Sequence, residues 1–150
     1  MELYQNFLEQ FNTALLNADR NLSEVELIAV SKKKSSDEIK KVINSGHLSF
    51  GENQLQEVEN KWITLKKEFP NIKLHFIGGI QSKKVKPIFE HCDVIHSIDR
   101  MKVVSLFSEL EKHSTIKKEY FIQVNIGDES QKSGVQLSDA DDFILNCKKN

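Results

Sequence analysis

Cysteine is scarce in this chain, with two residues in 150. Two thiols cannot form a disulfide framework, so Cys92 and Cys147 read as the reduced cysteines of a cytoplasmic protein. A surplus of either charge is also missing. The formal net charge of -1 gives no overall electrostatic pull toward nucleic acid or anionic membrane, although lysines do cluster at 32–34, 83–86 and 117–118. No apolar run approaches membrane-spanning length, and Glu2 and Glu9 interrupt the N-terminal apolar stretch, so neither a membrane span nor a secretory signal is expected. No GxGxxG follows the first apolar run, and there is no GxSxG elbow, GxxxxGK[ST] loop or aromatic–basic nucleic-acid signature. Internal repeats and low-complexity linkers are absent too. With 39% hydrophobic and 29% charged residues, the chain fits one soluble globular domain with a real core, and residues 1–150 read as a single domain.

What is present is an alternation of short apolar runs and helix-period segments. Residues 3–18 place Leu3, Phe7, Leu8, Phe11 and Leu15 on one helical face. A strand is expected at 27–31. A helix follows with Ser35 as N-cap, Glu38 three residues on, Ile39, Val42 and Ile43 inward, and Gly46 at its C-terminal end. A second strand near 48–50 leads into a long helix whose stripe is Leu55, Val58, Trp62, Leu65 and Phe69, ended by Pro70. A third strand at 74–77 precedes a helix over roughly 82–91, which Pro87 would disturb or restart. The fourth strand spans 93–97, and Asp99 is expected to cap a helix bearing Val103, Phe107 and Leu110. The fifth strand, 120–126, is followed by a helix capped by Ser138, with Phe143, Ile144 and Cys147 inward. Strands alternating with helices imply right-handed βαβ units and a parallel sheet, either doubly wound or closing as a barrel.

Several residues could carry chemistry. Leu27–Val30 ends in Ser31 and Lys32, so a buried strand delivers an amine to the rim where the working groups of a parallel barrel sit. Partial burial and the neighbouring Lys33 and Lys34 would favour the neutral amine that attacks a carbonyl; by pattern alone, three lysines after a strand also read as a solvated loop. Phe50-Gly51-Glu52-Asn53 ends the second strand. Asn53 either caps the long helix or directs its amide into a pocket, and Glu52 is an acid–base candidate or, more commonly, an exposed ion-pair member. Gly78-Gly79 reads as a strand–helix turn whose amides could hold an anion, with Gln81 and Ser82 as caps. His91, Cys92 and His96 match no common zinc spacing and lack a fourth ligand, so no metal is expected. His75 and His96 read as strand residues near a barrel mouth.

The stretches Ala29-Val30-Ser31-Lys32, Phe50-Gly51-Glu52-Asn53, His75-Phe76-Ile77-Gly78-Gly79-Ile80-Gln81 with Lys84, His96-Ser97-Ile98-Asp99, and Ile122–Ile126 with Lys132-Ser133-Gly134 occur in this order. Together they resemble the pyridoxal phosphate homeostasis protein family over about residues 27–134. The resemblance implies an α/β fold: a partial (β/α) TIM-type barrel of about five parallel strands plus an N-terminal helix, like the N-terminal domain of alanine racemase. It implies that pyridoxal 5'-phosphate is held as a Schiff base on Lys32, with Asn53 close to the cofactor and Lys34 at an often basic position. Leu55 departs from a frequent tyrosine and Lys83 from a frequent asparagine; neither removes the lysine chemistry. Family members grip the cofactor phosphate with turns and an arginine on the last strands. The chain is therefore expected to be C-terminally truncated, with open sheet edges, marginal folding and weak cofactor binding.

The function so implied is cofactor binding in pyridoxal phosphate homeostasis rather than catalysis, with no residue in a catalytic role. The partner is the cofactor, with no nucleic acid or membrane, and a complete barrel would be expected to be a monomer. The rival readings are a racemase-like enzyme, which would need a second catalytic residue such as a tyrosine, and a remnant of a truncated gene.

Overall fold

The computed structural model describes residues 2–127, 129 and 131–149. Its centre is a five-stranded, wholly parallel sheet in the order β1-β2-β3-β4-β5. After α1 (Glu2–Asn17) come β1 (Ala29–Val30), α2 (Ser36–Ile43) and β2 (Ser49–Glu52). The long helix expected next is one stripe in three pieces: α3 (Leu55–Glu57), a π turn (Val58–Trp62) and α4 (Ile63–Glu68). Then follow β3 (Lys73–Phe76), a 3-10 turn (Ser82–Lys84), α5 (Val85–His91), β4 (Val94–Ile98) and α6 (Met101–Lys112). The described chain closes with β5 (Glu119–Ile122), β6 (Val124–Asn125), β7 (Val135–Gln136) and α7 (Ala140–Cys147). Consecutive neighbouring strands joined through helices are the arc of a (β/α) barrel.

Strand alternation divides the side chains between two faces. Phe50, Leu74, Phe76 and Ile95 point to the helices and join Trp62, Leu65, Ile88 and Phe107 in one core; the Phe50 and Trp62 rings lie 5.0 Å apart. The other face carries Ile28, Val30, Gly51, His75, Val94, His96 and Phe121. It is the inner surface of the arc, and it is open: Val30 is 48% and Phe121 50% exposed.

Local signals explain the element ends. At α2 the Ser35 hydroxyl accepts from the Glu38 amide while Glu38 accepts from the Ser35 amide (2.9 Å), a complete capping box, and Gly46 beyond the helix has φ +96°. Pro87 falls in the first turn of α5, where its missing N–H is tolerated, and a separate 3-10 turn precedes it.

Several expectations are corrected. β1 is shorter than 27–31. Gln123 splits the fifth strand: its amide donates to Ile98 O (2.9 Å), while its carbonyl accepts from Val135 N (2.8 Å), so the chain passes from pairing with β4 to pairing with β7. Arg100, not Asp99, is the N-cap of α6, and Asp99 instead pairs with Arg100 at 2.6 Å. Asp139 is the N-cap of α7, and the Ser138 hydroxyl donates to its carboxylate (2.9 Å). Gln81 precedes the 3-10 turn without a side-chain cap. Ile144 is exposed rather than inward, as are Leu3 (87%) and Phe7 on α1, where Leu15 is fully buried. Among the described residues no helix is long and apolar enough to cross a membrane.

The thiols give a direct check of the layering. Cys92 is fully buried behind the sheet, and burial pushes its thiol up to about 12, whereas Cys147 is half-buried and raised by the same cause. A thiol reagent at pH 8 should modify Cys147 first and Cys92 only at the rate of unfolding. Equal modification rates in mass spectrometry would contradict this packing.

Candidate functional site

The ends of β1 and β2 bring two candidate residues onto one rim. Val30 pairs with Gly51, and the ladder continues one step further through Ser31 N donating to Gly51 O (3.0 Å). Lys32 and Asn53 each lie two residues beyond that pair, just past the ends of β1 and β2. Gly51 keeps the inner face narrow, since a Cβ there would stand 3.1 Å from Ile28 Cγ2.

Lys32 occupies the second position of a β-turn closed by Lys34 N donating to Ser31 O (3.1 Å). Lys33, at the third position, has φ 60°, a left-handed conformation that favours glycine or asparagine. Lys32 is exposed, and among the described residues its ammonium has neither hydrogen bond nor ion pair. Asn53 is half-buried and does not cap the helix; Gln54 is the residue before α3. Its backbone is pressed against the end of β3, where a Cβ on Gly78 would fall 1.9 Å from Asn53 O. Gly78 therefore serves a close approach between loops, and its carbonyl accepts from the Ser97 hydroxyl on β4.

Beneath the rim lies a group that sequence reasoning missed. Lys61, on the π turn, is buried and donates to Ser31 O (3.0 Å), Lys34 O (3.3 Å), Glu52 Oε1 (2.7 Å) and Glu57 Oε2 (2.7 Å). Glu52, expected as an exposed ion-pair member, is instead wholly buried. Its Oε1 accepts from Ser31 Oγ (2.7 Å), Lys61 and Trp62 Nε1 (3.1 Å). Glu57 also accepts from Lys33 N (3.1 Å), and that bond with the Lys61 hydrogen bond holds its carboxyl below the usual range. The legible signal was a lysine set against the apolar stripe of Val58, Trp62 and Leu65, with Glu57 one helical turn before it.

The histidines divide differently from their order in the chain. Cys92 lies in the helix-side core, His91 ends α5, and His96 sits on the inner face, so the three do not converge. His75 and His96 share that face: His75 Nδ1 is 2.9 Å from His96 Nε2, His75 Nε2 is 2.9 Å from Ser49 Oγ, and the His96 ring stacks on Phe121 at 4.7 Å. Glu26 lies 3.4 Å from His75, and Lys73 bridges Glu26 and Glu119 (both 3.1 Å). Burial lowers both histidine pKa values, against the opposing pull of Glu26. These groups occupy the inner face toward the strand starts, below the rim. At the strand ends an open cavity of about 390 Å³ is lined by Ile77, Gly79 and residues 123–127 of the β5–β6 segment, with Lys132; Lys32 and Asn53 do not line it.

Sequentially ordered parallel strands joined through helices define the chain as a (β/α) barrel-type protein. No protein-family model matches the chain. Curated proteins named pyridoxal phosphate homeostasis protein do match it. The Escherichia coli K12 protein is 33% identical over 136 residues, 90% of this chain and 58% of the relative. The Pasteurella multocida protein is 40% identical over 124 residues, 82% of this chain and 53% of the relative. Among solved structures, PipY of Synechococcus elongatus without pyridoxal phosphate superposes with a TM-score of 0.79 at 27% identity, covering 91% of this chain and 63% of PipY. PipY with pyridoxal phosphate bound gives a TM-score of 0.68 at 26% identity over 89% of this chain and 61% of PipY. The chain is thus similar to proteins named pyridoxal phosphate homeostasis protein, and it spans a little over half the length of the curated relatives it matches.

Two outcomes follow from the rim and the inner face. Gly78→Ala should cost about 1–3 kcal/mol of stability by driving the β2 and β3 loops apart, while Gly79→Ala, with open space around it, should be near neutral; equal denaturation midpoints for the two variants would refute the close approach. Depressed histidine pKa values stabilise the fold fully above the ordinary imidazole value of about 6.5, and this contribution is lost as pH falls through the folded values. The urea midpoint should therefore drop between about pH 7 and 5, and drop less in His96→Phe; an unchanged slope in that variant would remove His96 from this account.

Proposed function

We propose that this chain is a pyridoxal 5'-phosphate-binding module acting in cofactor homeostasis, in which Lys32 holds the cofactor as a Schiff base and Asn53 lies beside it. The observation that supports the proposal is an exposed ammonium just past the end of β1, without a protein partner among the described residues and one strand from Asn53. The donor set fits such a group: an amine for the aldehyde, an amide for ring oxygens, and an open rim that admits it. The cofactor supplies an aldehyde that an amine can hold reversibly. In this reading the Lys32 amine would hold that aldehyde. Asn53 can donate or accept a hydrogen bond at the ring without changing charge.

Residues 1–150 act as one domain in this reading, and the work is binding in the cytoplasm rather than turnover. A racemase-like reaction would need a second acid–base group facing Lys32. The tyrosines do not support it: Tyr4 lies on α1 with its ring against His47 (5.8 Å), and Tyr120 points to the helix side, where its hydroxyl donates to Glu111 (2.9 Å). The near-neutral charge supports a small-molecule partner rather than nucleic acid or membrane.

Incubation with pyridoxal phosphate, reduction with borohydride and peptide mapping test the assignment. Label should appear on Lys32 and vanish in Lys32→Ala. Label on Lys33 or Lys34, with none on Lys32, would overturn it.

A further inference from the structure

The turn that carries Lys32 is held from below at both ends. Lys61 donates to Ser31 O and Lys34 O, the first and last carbonyls of the turn, and reaches Glu52 at the end of β2. Glu57, one helical turn before Lys61, takes the amide of Lys33, the residue in the left-handed conformation. One buried cation thus ties the Lys32 turn to the strand end that bears Asn53. An ammonium has three hydrogens to share among these four acceptors, and all four lie at 2.7–3.3 Å. The π turn spanning Val58–Trp62 positions both Lys61 and Trp62, the two helix residues that bond Glu52 Oε1.

We propose that Lys61, braced by Glu52 and Glu57, is a positioning residue for Lys32: it fixes the turn so that Lys32, and not its neighbours Lys33 and Lys34, presents its amine over the inner face. This rests on the reading of Lys32 as the cofactor lysine. Lys61 itself stays on the helix side and does not touch the reacting atoms. Its effect is geometric, setting the backbone from which Lys32 projects, so it governs selectivity among three consecutive lysines that solvent alone would treat alike.

The test compares wild type, Lys61→Met, Lys61→Arg and Glu57→Ala, each checked by circular dichroism to be folded at the assay temperature. The first readout is hydrogen exchange at the Ser31, Lys33 and Lys34 amides. Lys61→Met should expose Lys33 and Lys34 at least tenfold while Ser31, paired to Gly51, stays protected; Glu57→Ala should expose Lys33 chiefly. The second readout is the ratio of Lys32 to Lys33-plus-Lys34 labelling by pyridoxal phosphate and borohydride. That ratio should fall about tenfold in Lys61→Met, less in Glu57→Ala, and be partly restored in Lys61→Arg. Should Lys61→Met prove unfolded, Glu57→Ala decides, because it leaves Lys61 paired with Glu52. A loosened turn with an unchanged labelling ratio, or unchanged exchange at Lys33 and Lys34, would overturn the proposal. A wild-type protein that labels Lys33 or Lys34 instead of Lys32, with the exchange pattern as expected, would show that the cofactor-lysine reading had failed while Lys61 still orders the turn.

Discussion

A lysine and a glutamate removed from water hold the working end of this sheet together. Desolvating Lys61 and Glu52 costs several kcal/mol per ion unless their remaining hydrogen-bonding capacity is met. Much of it is: Glu52 Oε1 takes the Ser31 hydroxyl, the Trp62 indole and the Lys61 ammonium, and Lys61 adds two backbone carbonyls and Glu57. Glu52 Oε2 is the exception, buried without a hydrogen-bond partner among the described residues. Loss of either charge alone would leave the other stranded, a cost of about 3–5 kcal/mol against a typical total of about 5–15. Such a pair is a poor source of net stability, but it is specific. The arrangement of β1, β2 and the π turn that satisfies it also ties down both ends of the Lys32 turn.

Most of the layering was legible in the sequence, because a parallel sheet backed by helices writes a simple pattern. The stripe from Leu55 to Leu65 and the apolar residues of β3 and β4 bury as periodicity requires. The capping box at Ser35 and Glu38 was readable because both partners are local. The failures share a different cause. Glu52 was read as exposed because glutamate usually is, and its burial depends on Lys61 and Trp62, nine and ten residues later in the chain. Asn53 lost its capping role because the helix starts one residue further on. The break at Gln123 is imposed by β7, which takes over its carbonyl, and no local signal marks it.

The candidate site divides in the same way. That Lys32 follows the first strand was readable because an apolar run ends just before it. The backbone conformation of Lys33, the grip of Glu57 on its amide and the His75–His96 contact were not, since each depends on residues distant in the chain meeting across the sheet. The inner face also differs from an ordinary domain surface. It mixes exposed apolar residues, Val30 and Phe121, with a buried polar cluster around His75, the composition of a surface that is half interior.

The contact between Gly78 and Asn53 has a consequence for how this rim can vary. The β2 loop presses its carbonyl into the space a side chain would need at 78, and Gly78 in turn accepts from Ser97, so the ends of three consecutive strands touch in sequence. A residue added to or removed from the β2 loop would displace Asn53 O, and the β3 loop would have to follow by a matching amount. The two loops can therefore change length only together, and the spacing between the second and third strand ends is inherited as one unit.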